Sequence, residues 1–161
     1  MKRKMRKLIS AIAYLIVLII FLSNLSCSKS ENPYVGSKSI SIDMDRARES
    51  VDSLDKQFSE YFFNGDSIAL YQMYAKGASF GSLRGEEILS AWGRQIRNSI
   101  KNDTRNLIFT PIFLTTDNEF LFEVGKYESK DSKGNVKGDG KYLMVLKQEE
   151  GKWKIYRDMG L

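Results

Sequence analysis

The side chains able to do chemistry in this 161-residue chain are carboxylates and tyrosines, because the sequence holds no histidine and a single cysteine. A histidine base, a His-based triad and a histidine-ligated metal are excluded on that ground. One cysteine cannot close an internal disulfide. No phosphate-cradling glycine loop or clustered set of metal carboxylates appears, so no cofactor is expected. Two acids stand out. Glu123 shares a strand face with Leu121, where an apolar setting would raise its pKa. Asp158 stands at the rim of the last strand. Either could serve as a base, with Tyr61, Tyr71, Tyr74 and Tyr142 as hydrogen-bond donors and Trp92 as an apolar ligand contact. Each residue also has a plain structural reading. Glu123 could pair with Lys126, Lys141 or Lys154 across a sheet, Asp158 could cap a turn, and the aromatic residues could simply fill the core.

The elements that must position these groups follow from periodicity. Met44, Ala47, Val51, Leu54, Phe58 and Tyr61 or Phe62 recur at steps of three and four, the mark of one helical face. Asp45, Arg48, Glu49, Asp52, Asp55, Lys56 and Glu60 fill the other, and Asn64-Gly65 ends the helix. Asp66 is an N-cap for a short helix over 67–74, and residues 75–80 form a short strand. After a loop over 81–85, Glu86 and Glu87 open a third helix, where two carboxylates suit the positive end of the dipole. Its buried stripe is Ile88, Trp92, Ile96 and Ile100.

Four strands are then predicted, over 107–115, 119–128, 141–147 and 152–158, with connections short enough to make them an antiparallel meander. In the first, Leu107, Phe109 and Phe113 oppose Ile108, Ile112 and Leu114, and Pro111 needs an edge or a bulge. In the second, Phe120, Phe122 and Val124 face away from Leu121, Glu123 and Tyr127. One sheet face must lie under the helices. The other is too apolar for open water, which predicts a homodimer packed sheet against sheet.

Helix, helix, short strand, helix and curved meander is the order of the cone-shaped NTF2-like fold. The chain resembles its SnoaL-like and DUF4440-like branch, relatives of ketosteroid isomerase, at Gly65-Asp66, at Arg84-Gly85-Glu86-Glu87-Ile88, at residues 140–147 and at residues 151–158. The resemblance spans about residues 45–160. It implies an α+β fold of three N-terminal helices on a curved antiparallel sheet of four to five strands. The fold hosts enzymes and binding modules alike. Two functions follow: a noncatalytic module that binds a small apolar ligand or a partner protein, or an isomerase or hydrolase of ketosteroid-isomerase type with Glu123 or Asp158 as base and tyrosine donors.

Charge and leader place the protein. The formal net charge is +5, but Lys2, Arg3, Lys4, Arg6 and Lys7 supply it, leaving 20 basic against 20 acidic residues after residue 26. A neutral body exerts no general pull on phosphates, so nucleic acid is not an expected partner. The cationic start, the apolar run over 8–22 and the small residues before Cys27 form a secretory signal, the run being shorter than the roughly 20 residues of a spanning helix. This arrangement resembles a bacterial lipoprotein signal. It implies a signal peptide over 1–26, lipid on Cys27, a tether over 27–39 and a domain over 40–161. The alternative is an ordinary signal or anchor with an incidental thiol. Ser28 after the cysteine implies the outer membrane, on its periplasmic or surface side.

Overall fold

Helix α1 (Met44–Asn64) buries Ala47, Val51, Leu54, Phe58 and Phe62, the row its spacing predicts, and Asp43 caps it by accepting from the backbone N–H groups of Asp45 and Arg46. The computed structural model describes residues 42–117 and 119–161, so the leader, Cys27 and the tether lie outside the described residues. One position on α1 departs from the expected pattern. Asp55, assigned to the solvent face, is buried. It lies four residues after Val51 and three before Phe58, on the apolar row itself.

Helix α2 (Ser67–Gln72) starts under its predicted cap, with Asp66 Oδ1 accepting from the Ala69 N–H at 2.8 Å. Helix α3 (Glu86–Lys101) buries Ile88, Ala91, Trp92, Ile96 and Ser99, while Ile100 is 51% exposed. Strict steps of four gain about 40° per step against a 3.6-residue turn, so three of them carry Ile100 off the face that Ile88 occupies. Ser99 takes its place and donates to the Ile96 carbonyl at 2.9 Å.

Six strands form one mixed sheet: β1 (Tyr74–Phe80), β2 (Leu83–Arg84), β3 (Asn106–Asp117), β4 (Phe120–Lys130), β5 (Val136–Glu149) and β6 (Lys152–Gly160), in the order β2-β1-β6-β5-β4-β3. The meander β3 to β6 is antiparallel throughout, as short connections require. The sheet is larger than predicted because β1 pairs parallel with β6, a partner distant in sequence, and β2 folds back on β1 where a loop was expected. The β5–β6 turn is the two residues Glu150 and Gly151, both at positive φ (54° and 76°), as the primed hairpin turns demand.

Two local features bend the sheet around the core. Pro111 lies on the edge strand β3 and a bulge follows it, between Pro111 and Phe113. The extra residue exchanges the faces beyond it: Phe113 goes outward opposite Val124, and Leu114 turns inward opposite Glu123, the reverse of the predicted assignment. In the centre, Gly125 faces Tyr142 and Gly140 faces Tyr127 across β4 and β5. Each tyrosine ring lies over the opposing glycine so closely that a Cβ there would overlap it. The inner face buries Leu121, Leu146 and Ile155 completely.

Candidate functional site

A cavity of about 500 Å³ opens between α1, α3 and the inner sheet face. Its wall is a run of aromatic rings in contact. Phe80 stacks on Trp92 with centroids 4.8 Å apart, Phe58 meets both Trp92 and Phe109 edge-on, and Phe109 meets Tyr142 edge-on. The mouth carries the neutral amides Gln95, Asn98 and Asn102. Among the described residues, Asp158 is the only charged one lining the cavity.

Asp158 is brought there by β6, near the chain end, with Met144 of β5 and Phe80 of β1 beside it. Tyr74 donates its hydroxyl to Asp158 Oδ2 at 2.5 Å, and Trp92 Nε1–H donates to the Tyr74 oxygen at 3.1 Å. Burial pushes the Asp158 carboxyl up to about 6, against the pull of the Tyr74 hydrogen bond. Tyr74 is raised well above its ordinary value, first by burial and then by the charge of Asp158, so it stays a donor. Asp158 therefore caps no turn.

Glu123 occupies a second, closed cluster. It is fully buried, accepts the Tyr142 hydroxyl at 2.5 Å, and does not line the cavity. Among the described residues no lysine forms an ion pair with it, which removes the cross-sheet pairing open to it in the sequence. Among the same residues, no N–H or O–H donor reaches Glu123 Oε2 or either oxygen of Asp55, all three being buried. A proton held on Asp55 would give Glu123 a second donor besides Tyr142. Burial, then the neighbouring Glu123 charge, pushes Asp55 up to about 8; burial also raises Glu123, while Tyr142 and Asp55 hold it back by hydrogen bonds. Tyr142 is raised by burial and by the same two acids.

Of the residues singled out from sequence, Trp92, Tyr142 and Asp158 line the cavity and Tyr74 supports it from behind. Tyr61 and Tyr71 do not reach it; they border separate surface grooves, beside Trp153 and beside Ile88 respectively. Sequence reasoning missed Phe58, Phe80 and Phe109 as cavity wall and Asp55 as partner of Glu123. Their signal was faint, since apolar residues at core spacing look alike whether they pack solidly or border a hollow. Among the described residues, no group of histidine, cysteine or acidic side chains could hold a metal ion.

A three-helix layer closed over the concave face of a mixed sheet, with an aromatic cavity between, is the NTF2-like fold. Solved structures agree. An NTF2-like protein of unknown function from Shewanella oneidensis superposes with a TM-score of 0.56 at 22% identity, over 71% of this chain and 98% of its own. A protein of unknown function with a cystatin-like fold from Nostoc punctiforme gives 0.58 at 11% identity, over 74% and 91%. A protein of unknown function from Mycobacterium tuberculosis gives 0.58 at 13% identity, over 73% and 72%. No family model and no curated protein matches the sequence.

Proposed function

We propose that this domain is a noncatalytic binding module of the SnoaL-like and DUF4440-like branch, which takes a small, largely apolar ligand into its cavity. The observation that carries this reading is the state of the donors beside the two buried acids. The hydroxyl of Tyr74 is committed to Asp158, that of Tyr142 to Glu123, and the indole N–H of Trp92 to Tyr74. A base-catalysed isomerase needs donors aimed at an oxyanion, and these three are spent within the protein. An aromatic wall around about 500 Å³ is what an apolar ligand requires. NMR with 2-naphthylmethanol tests it: shifts gathered at Phe58, Trp92 and Tyr142 are expected, and shifts confined to the outer sheet face would overturn the reading.

The second reading is the isomerase or hydrolase, favoured by one observation: Asp158 borders the cavity with a carboxyl at about 6, in the range of a useful base. Conversion of a β,γ-unsaturated ketone that disappears in Asp158→Asn would establish it. We further propose that lipid on Cys27 holds the domain at the outer membrane of a bacterial envelope; Cys27→Ser should release the chain into the soluble fraction. The outer sheet face, with Ile112 and Phe113 more than half exposed beside Phe122, Val124 and Leu143, supports pairing with a second copy. Light scattering should find a dimer that Phe113→Asp converts to a monomer.

A further inference from the structure

We infer that the cavity selects an organic cation, an aromatic or alicyclic amine whose ammonium group sits against Asp158 while its ring packs on the aromatic wall. The inference rests on the binding reading above and names its ligand class. Three features of the site point to it. Among the described residues the lining carries one acid and neither lysine nor arginine, so the nearest charge to any bound molecule is negative. Tyr74 occupies Asp158 Oδ2, and none of the described residues donates to Oδ1, so a carboxylate that lines the hollow keeps an acceptor without a protein donor. The rings of Phe58, Phe80, Trp92 and Phe109 are joined edge to face and face to face, presenting the π-systems that attract an ammonium group.

The alternatives fare worse on charge. A carboxylate or phosphate ligand would meet Asp158 with no cation to offset the repulsion. A neutral ligand would leave a desolvated carboxylate with a single donor, whereas an ammonium group supplies both donors and opposite charge in a setting poor in water. Around Asp158, Tyr74 on β1 and Tyr142 on β5 stay protonated, Trp92 on α3 and Met144 on β5 carry no charge, Asp55 on α1 is pushed up to about 8, and Glu123 on β4, raised by burial, lies outside the cavity lining. The charge facing the ligand between about pH 5 and 7.5 is therefore set by Asp158.

Three probes of one shape test this on the full chain: 2-naphthylmethylamine, 2-naphthylmethanol and 2-naphthoate, with free concentrations fixed by equilibrium dialysis and binding read at the Trp92 indole N–H resonance. At about pH 7.5 the amine should bind roughly tenfold or more tighter than the alcohol, and the naphthoate weakest. Asp158→Asn should erase the amine's advantage over the alcohol. Should that variant fail to fold, the unaltered chain still decides, because the amine-to-alcohol ratio must shrink toward one at about pH 5 as Asp158 takes up its proton. An alcohol that binds as tightly as the amine, or a ratio flat with pH, overturns the cation reading and leaves the binding module standing. If none of the three moves the Trp92 resonance, both fall.

Discussion

Tyr74–Asp158 and Tyr142–Glu123 are the same device built twice, a phenol donating to a buried carboxylate at 2.5 Å, and they differ in what lies on the acid's far side. Behind Asp158 is the cavity. Behind Glu123 is a second acid, Asp55, with no other donor in reach among the described residues. The open pair keeps a carboxylate that a ligand or water can reach, while the closed pair must keep a proton to exist at all. Burial alone does not make a buried acid functional; the difference is whether its remaining lone pairs meet a hollow or a neighbour.

The closed pair should be the more fragile to geometry. The Tyr142 ring that reaches Glu123 lies over Gly125, and a methyl group there would collide with that ring. Gly125→Ala should cost about 3–5 kcal/mol in urea unfolding, combining overpacking with a stranded carboxylate. A loss under about 1 kcal/mol would mean that the ring is not pinned by the glycine, and the contrast between the pairs would lose its steric basis.

Protons sharpen the contrast next. Asp55 is pushed up to about 8 in the folded chain from an ordinary 3.8, so between those values the folded state holds a proton that the unfolded state has released. The stability this confers is complete below about pH 4 and is lost as pH rises through about 8. Each tenfold gain in proton affinity on folding is worth about 1.36 kcal/mol, an upper bound here because the proton is shared with Glu123. A decline on the order of a few kcal/mol is expected across that window. Asp55→Asn, whose amide donates at every pH, should remove the larger part of it and leave the smaller share due to Asp158. Urea midpoints at about pH 5 and 8 measure this, and an unchanged slope in the variant would show that Asp55 holds no proton.

Much of this arrangement could be read from the chain, and the exceptions have physical causes. The helix row ending at Phe62 and the Asp66 cap depend on neighbours in sequence, and each was legible. Glu123 on the face of Leu121 followed from alternation. The parallel pairing of β1 with β6 joins segments about eighty residues apart and leaves no local trace. The bulge after Pro111 shifts the alternation by one, so inner and outer residues beyond it were exchanged. Asp55 carries a charge that points to solvent and a spacing that points to the core, and it is buried. The same spacing, Val51-Asp55-Phe58, placed it in the core.

The smallest effect is the most telling. Tyr142→Phe strands Glu123 in a sealed site and should cost about 2–3 kcal/mol, whereas Tyr74→Phe should cost only about 1, because water entering the cavity can replace the lost hydroxyl at both Asp158 and the Trp92 N–H. The Tyr74 hydrogen bond is also what restrains Asp158 against burial, so removing it should lift that carboxyl above its present value of about 6. Since a raised acid contributes stability that is lost as pH climbs through its folded pKa, the decline due to Asp158 should move to higher pH in Tyr74→Phe. Carbon-13 NMR of the Asp158 carboxyl follows the first change and urea unfolding the second. Equal stability losses in the two phenylalanine variants would mean that Asp158 is as sealed as Glu123, and a carboxylate closed off in that way could not meet a ligand in the cavity.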